Sequence, residues 1–410
     1  RPRILIGKDT RISSAMLDGA LTAGLCSVGA DVISLGVVPT PAVAFLVGKY
    51  KADAGIMISA SHNPCEFNGI KIFSGDGYKL PDALEEQIEA IVLDQAQVPP
   101  CPVGGAIGRV TVAERAVKDY VDHIKRTVPF ALDGMNIAID CANGSASRTA
   151  EKLFTELGAT VHMLADQPDG ININEHCGST HMENLMQYVK EHEGIDAGIA
   201  FDGDADRFLA VDEKGNFLDG DYIMAIIAAD MRSRGKLAGN TVVGTIMTNM
   251  GFSRFCEENG MKFLATKVGD RYVLEEMLLE EYNFGGEQSG HVIFLDFATT
   301  GDGQLTAAQL LSILKRRNAK LSSLATLMTR FPQVMVNVTV TNEGKLRFYT
   351  DGEVKAAVEA AKTEMGKNGR VVVRVSGTEP LVRVMVEGEN KDQIDRVANR
   401  VADVVRERLS

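Results

Sequence analysis

Residues 195–207 read IDAGIAFDGDADR: a small apolar run that ends in three alternating aspartates, Asp202, Asp204 and Asp206, followed by Arg207. Two other stretches have the same layout. Residues 52–64 read ADAGIMISASHNP, and residues 282–291 read YNFGGEQSGH. Each is an apolar strand pattern emptying into a short polar loop. Each also closes a longer unit. Residues 3–36, 135–164 and 240–269 share one order: a β-rich run, a polar loop, a helical pattern, a glycine and a second apolar strand. Gly29, Gly158 and Gly260 stand in matching places. Glycine there is the usual end of a helix. Strand–helix–strand order implies parallel strands joined by helical crossovers, and ligands gather at the carboxyl ends of such strands. The expectation is three similar α/β domains with mixed or parallel sheets, whose odd loops meet at a central cleft.

The rest of the chain has a different pattern. From about Gln333 a strand, a helix over 351–367, two strands around the turn in RVVVRVSGTEPLVRVMVEG, and an amphipathic helix over 391–409 make a smaller C-terminal α+β domain. The expected divisions are 1–112, 113–215, 216–331 and 332–410. In the helical stretch AERAVKDYVDHIKRTV, Ala116, Val117, Tyr120, Val121, Ile124 and Val128 fall on one face, which predicts packing between domains.

Composition excludes several functions. The 410 residues are 45% hydrophobic and 24% charged, as in a soluble globular protein, and no apolar run reaches the roughly 20 residues of a membrane span. Six cysteines without CxxC spacing argue against a zinc site or a disulfide framework and fit a reducing cytoplasm. The net charge of -12 makes nucleic acid an improbable partner. An anionic substrate needs a local cluster of basic residues instead.

The loops supply both signs of charge. Three carboxylates this close repel unless a cation sits among them, and oxygen-only ligands suit Mg²⁺. A calcium EF-hand counted from Asp202 would need glycine at its sixth place and glutamate at its twelfth. Those places hold Arg207 and Glu213, and the segment before is strand-like rather than helical. Arg207 beside such a metal suits a phosphate. In SASHNP, Ser59 or Ser61 is a candidate nucleophile if a metal activates it; chemistry alone does not choose between them. Lys71 is a candidate acid or base, or a lysine lying along the surface. Glu287 and Ser289 suit the vicinal hydroxyls of a sugar, with His291 a possible proton donor. Arg374, Ser376, Gly377, Thr378 and Arg383 form a candidate anion nest. Arg11, Lys267 and Arg271 add cations.

Together, SASHNP, DGDADR, GEQSGH and RVSGTEP, in that order and over essentially the whole chain, resemble the α-D-phosphohexomutase superfamily. The resemblance implies three α/β domains and a smaller C-terminal domain around one cleft. It implies an intramolecular phosphotransferase that carries a phosphoryl group on the serine before histidine, Ser61. It implies Mg²⁺ held by Asp202, Asp204, Asp206 and the Ser61 phosphoryl group, and sugar contacts at Glu287 and Ser289. A distal phosphate site follows at Arg374, Ser376, Gly377 and Thr378, and proton transfer near Lys71, His62 and His291. Arg11 is grouped with the catalytic residues; Arg207, Lys267, Arg271, His291 and Arg383 are grouped with substrate binding. Ala205, Gln288 and Gly377 resemble the branch acting on glucosamine phosphates, where the glucose and mannose branch more often has Gly, Met and Asn. That branch interconverts glucosamine 6-phosphate and glucosamine 1-phosphate in amino-sugar nucleotide synthesis. Its activator and intermediate is glucosamine 1,6-bisphosphate or glucose 1,6-bisphosphate. The expected partner is a small sugar phosphate, and a homodimer stays open. Members of the branch carry a further strand and a GTDGIRG-like segment before IGKDTR. Nothing in the given sequence corresponds to it: either the segment lies outside the given sequence or it is missing, and a missing segment is expected to leave a sheet edge unpaired and to impair activity.

Overall fold

The structure, a computed structural model, describes residues 1–94, 99–376 and 379–410. It divides into two compact units: residues 1–245 with 266–327, and residues 246–265 with 328–410.

The first unit holds the loops of the three repeats. In the first sheet, Arg3–Lys8 pairs in parallel with Asp31–Val37 and with Ala54–Ile58, and Ala54–Ile58 pairs antiparallel with Ile70–Ser74. The second sheet repeats this arrangement. Asn136–Asp140 lies parallel to Thr160–Leu164 and to Ala197–Phe201, and Ala197–Phe201 turns back antiparallel into Phe208–Asp212. In the third, Thr241–Thr245 is parallel to Phe284–Gly286, which is antiparallel to Val292–Phe294. The sheets are therefore mixed: Phe217–Leu218 adds a further antiparallel strand to the second, and in each an inner strand turns back into an antiparallel neighbour. That return is what places the three polar loops. SASHNP, DGDADR and GEQSGH each link an inner strand to its antiparallel neighbour, at the same carboxyl end.

The strands are apolar because both faces are covered. Ala197–Phe201 and Thr241–Thr245 are buried along their whole length. Gly29, Gly158 and Gly260 all take positive φ (89°, 100° and 62°), the left-handed conformation that ends a helix with least strain in glycine. The helix Ala116–Thr127 buries Ala116, Tyr120, Val121 and Ile124 on the expected face. It joins neighbouring elements: Tyr120 donates to Asp302 at 2.8 Å, and His123 stacks on Phe45 with centroids 4.0 Å apart.

The second unit is built on an antiparallel sheet, Gln333–Thr339, Leu381–Gly388 and Gly369–Val375, with Leu381–Gly388 in the middle. The helix Lys391–Leu409 lays Ile394, Val397, Ala398, Val401, Ala402, Val405 and Leu409 into its core, a spacing of three and four residues that forms one stripe. Residues 246–265 are tied to this sheet. Buried Glu387 accepts from Met250 N–H at 3.2 Å and from Arg370 at 2.6 Å, and the Asn249 side chain bonds both main-chain groups of Phe331. No helix among the described residues is long and apolar enough to cross a membrane.

Candidate active site

Asp202, Asp204 and Asp206 are all buried, and one carboxylate oxygen of each lies within 4.8 Å of the others. At an effective dielectric of about 20, charges that close repel by about 3.5 kcal/mol per pair or more. Three such pairs approach the whole stability of a domain, so protons or cations must share the cluster. In this structure two devices do so. Lys71 places its ammonium 2.6 Å from Asp204 Oδ2 and 3.2 Å from Asp206 Oδ2. Asp202 is pushed up to about 8, first by burial and then by Asp206 and Asp204. Burial also raises Asp206, but Lys71, His291 and Arg207 overcome it and hold the group well below the usual carboxylate range.

The cluster has room for a metal in its bonding. Among the described residues, Asp204 Oδ1 and Asp206 Oδ1 are buried without a hydrogen-bond partner, and buried carboxylate oxygens are rarely left so. Hard oxygen donors in this number fit a hard divalent cation such as Mg²⁺. The loop is shaped for close approach. A side chain at Gly203 would meet Ser61 O at 2.6 Å and Asn174 Nδ2 at 2.8 Å, and Ala205 takes a left-handed φ of 55°.

SASHNP docks against this loop. The two serines differ in what they touch: Ser61 donates its hydroxyl to Asp202 Oδ2 at 2.7 Å, whereas buried Ser59 turns its oxygen back to accept Ser61 N–H at 3.0 Å. Ser61 sits at φ 52°, and its carbonyl and that of Asn63 are held by Arg11 and by Asn174. Arg11, expected among the catalytic residues, spends its guanidinium on the protein itself. Its side chain is buried, Nε lies 2.9 Å from Asp9 Oδ2, and its remaining donors reach the carbonyls of Ser61, Asn63 and Pro64. A guanidinium so committed braces the loop from behind. Burial, and then the Arg207 guanidinium, lower His62 from its usual value. Arg207 Nη1 donates to His62 Nδ1 at 3.1 Å, so that lone pair is already engaged, while Arg207 Nε is buried without a partner among the described residues. Lys71 is a held cation as placed: burial alone would lower it, but Asp204 and Asp206 raise it above its ordinary value.

GEQSGH meets the metal loop from the other side, where Phe208 N–H donates to Gly290 O at 3.1 Å. His291 is buried between two acids, with Nδ1 3.7 Å from Asp206 Oδ1 and Nε2 3.5 Å from Asp270 Oδ2. Burial lowers it, and Asp206 and Asp270 together raise it further. Gly301 N–H points at Nε2 from 3.1 Å, which puts the neutral ring's proton on Nδ1, facing Asp206. Glu287 accepts from Gly269 N–H at 3.2 Å, and Ser289 Oγ is buried without a partner among the described residues. Lys267 is exposed over the Tyr272 ring at 5.6 Å, and Arg271 pairs with Glu275 one turn along its own helix. Neither is brought to the carboxylates by any of these contacts.

The fourth loop lies in the second unit. Arg374 and Arg383 face each other across adjacent strands, a like-charge pair; burial and then Arg383 lower Arg374 from its usual value. Ser376 is buried and accepts Glu379 N–H at 3.3 Å, and Arg383 pairs with Glu379. Gly377 and Thr378 lie outside the described residues.

Sequence reasoning did not find Asp9, Thr40, Lys79, Asn174 or Asp270. Thr40 donates its hydroxyl to Asp204, and Lys79 pairs with Asp270 behind His291. None stands in a motif with a chemical signature. Thr40 lies 164 residues from Asp204, Lys79 lies 191 from Asp270, and Asn174 lies 113 from Ser61, so these pairs come together only in the fold.

A serine hydroxyl on a buried three-carboxylate cluster, with arginine and histidine beside it, on repeated α/β modules, is the arrangement of a phosphoryl-transfer enzyme acting on a polar substrate. Models of the phosphoglucomutase/phosphomannomutase family match in order: α/β/α domain I over residues 1–98, domain II over 118–215, domain III over 219–331 and the C-terminal domain over 335–404. The chain belongs to this family, within the α-D-phosphohexomutase superfamily. The similar curated proteins carry a narrower name. Phosphoglucosamine mutases of Caldanaerobacter subterraneus subsp. tengcongensis and Clostridium novyi are 54% and 52% identical over 410 residues, covering 100% of this chain and 91% of each relative. Among solved structures, a family protein from Burkholderia thailandensis superposes with a TM-score of 0.83 at 24% identity, over 99% of this chain and 89% of that one. Aspergillus fumigatus N-acetylphosphoglucosamine mutase, in complex with GlcNAc-6P and magnesium, does so at 0.68 and 20% identity, over 90% and 93%. At those identities the structures speak for the fold.

Proposed function

We propose that this chain interconverts glucosamine 6-phosphate and glucosamine 1-phosphate through a phosphorylated Ser61 and a bound 1,6-bisphosphate. The observation that carries the chemistry is the Ser61 hydroxyl 2.7 Å from Asp202, at the edge of the carboxylate cluster. The sugar is argued from the full-length identity to phosphoglucosamine mutases.

Asp202, Asp204, Asp206 and the phosphoryl group on Ser61 would hold Mg²⁺, which when bound supplies positive charge against the transferring phosphoryl oxygens. The chain's own residues do the rest. In the first half-reaction the Ser61 Oγ–P bond breaks and a bond forms between phosphorus and the sugar 1-oxygen. The proton of the 1-hydroxyl must leave, and Ser61 Oγ must gain one. Lys71 is the shuttle: its ammonium gives a proton to Oγ and its amine takes one from the sugar. His62 is a weaker candidate because Arg207 engages its lone pair, and His291 lies further along, between Asp206 and Asp270. The bisphosphate then turns, presents its 6-phosphate to Ser61, and the same steps run in reverse. Glu287 and Ser289 take the sugar hydroxyls, and Arg207 takes phosphate oxygens. The nest of Arg374, Ser376, Gly377, Thr378 and Arg383 takes the phosphate that is not reacting. Lys267 and Arg271 are assigned to its approach. Glucosamine 1,6-bisphosphate, or glucose 1,6-bisphosphate, reloads the serine. The four working segments are 1–112, 113–215, 216–331 and 332–410, and the six free cysteines favour a cytoplasmic enzyme.

The test is kcat/KM on glucosamine, glucose and mannose 6-phosphates with a trace of 1,6-bisphosphate. A preference for glucosamine of about tenfold or more is expected. Equal or better turnover of glucose or mannose phosphate overturns the substrate assignment, and no phosphate on Ser61 by intact mass overturns the mechanism.

A further inference from the structure

The carbonyls of Ser61 and Asn63 point to one side of the loop, where their dipoles repel. Each accepts two hydrogen bonds there. Arg11 supplies one to each, at 3.1 and 2.8 Å. The other comes to each from a single atom, Asn174 Nδ2, at 2.9 and 2.9 Å. A carboxamide nitrogen has two hydrogens, and here both are used. Asn174 is itself locked. It is buried, takes a left-handed φ of 59°, and donates its main-chain N–H to Ala142 O at 2.9 Å.

We infer that Asn174 is a positioning residue for phosphoryl transfer, acting through the main chain of Ser61. This rests on the reading of Ser61 as the phosphoryl carrier. The geometry gives Asn174 a task that Arg11 does not have. Arg11 is in the same sheet module as Ser61, so it braces the loop within that module. Asn174 belongs to the module that carries Asp202, and Asp202 accepts the Ser61 hydroxyl. Main chain and side chain of Ser61 are thereby both referred to the module that carries the carboxylates. Ser61 has a left-handed φ, a conformation that a serine keeps only when its surroundings over-determine it. Without Asn174 the loop keeps its brace but loses its register against Asp202.

Asn174→Gly keeps the left-handed backbone without strain and deletes only the carboxamide. Asn174→Asp keeps the size, removes the donors and turns a carboxylate towards two carbonyls. With glucose 1,6-bisphosphate as the probe, the rate of phosphate uptake on Ser61 is read by intact mass on the full chain. Steady-state kinetics on glucosamine 6-phosphate and the melting temperature are measured alongside. Expected for Asn174→Gly are a fall in kcat of about 10- to 100-fold, KM within about threefold, and phosphate uptake slowed by the same factor as kcat; Asn174→Asp falls further. A residue that merely stabilises the fold would lower the melting temperature and leave kcat per folded molecule and uptake rate unchanged, and that result overturns the inference. A loss confined to KM also overturns it. Wild type is the control for the underlying reading. If it takes up no phosphate on Ser61, that reading fails and the inference with it. If it does and both variants match it, only the role of Asn174 fails.

Discussion

Lys71 holds Asp204 by an ion pair of 2.6 Å, inside the carboxylate cluster that fits a divalent cation. The ammonium holds the Oδ2 atoms of Asp204 and Asp206, the same carboxylates whose Oδ1 atoms have no partner among the described residues, so it repels a metal bound there. Replacing Lys71 by methionine keeps the apolar stem and removes the charge. The expected outcome is tighter Mg²⁺ binding by about tenfold in calorimetry, a lower melting temperature in chelator, and poor turnover. Weaker Mg²⁺ binding would show that Lys71 assists the metal instead.

Asp202 sets a pH dependence. Its folded value of about 8 stands above the ordinary 3.8, because burial and two neighbouring acids disfavour its charge. The folded, metal-free protein keeps a proton that the unfolded chain gives up. The resulting stabilisation is complete below about pH 4 and is lost as the pH rises through about 8. A bound cation requires the charged carboxylate and cancels that loss. The melting temperature in chelator should fall from about pH 5 to about pH 8.5, and the gap opened by Mg²⁺ should widen over that range. In Asp202→Asn the widening should vanish. A gap that narrows with rising pH contradicts the assignment.

Ser61→Ala removes the proposed carrier without touching the loop's main-chain bonds. Turnover should drop by about three orders of magnitude or more, with the melting temperature within a few degrees of wild type. Near-normal turnover by the purified variant would rule Ser61 out.

Arg374 and Arg383 face each other across two strands of the second unit; Arg383 already pairs with Glu379, and an anion shared by both guanidiniums would relieve their repulsion further. Arg374→Gln should raise KM for the sugar phosphate by about tenfold or more and affect kcat less. Its melting temperature without phosphate should not fall, since a like-charge contact is relieved. An unchanged KM removes Arg374 from the phosphate site.

Much of this was legible before any coordinates. Three repeats, each closed by a glycine after a helix, define three α/β modules because a helix end and a strand pattern are local properties of the chain. The tri-aspartate loop was recognisable as a cation site because alternating carboxylates with small residues between them have few other stable uses. Arg11 was legible as a cation but not in its task, since a guanidinium facing substrate and one facing three carbonyls look alike in sequence.

Sequence by itself set apart the polar loops at the strand ends and the charge each brings. Tertiary structure alone decided which atoms meet: the Ser61 hydroxyl on Asp202 while Ser59 turns back to the Ser61 N–H, a choice the loop's chemistry left open and the resemblance made for Ser61; Lys71 among the aspartates; His291 between Asp206 and Asp270; and Asn174 on the Ser61 carbonyl. The physical reason is distance along the chain. Periodicity and turn chemistry act over a few residues, whereas these contacts, except the local Ser59 turn, join residues 21 to 141 positions apart and exist only once the sheets have placed their loops together.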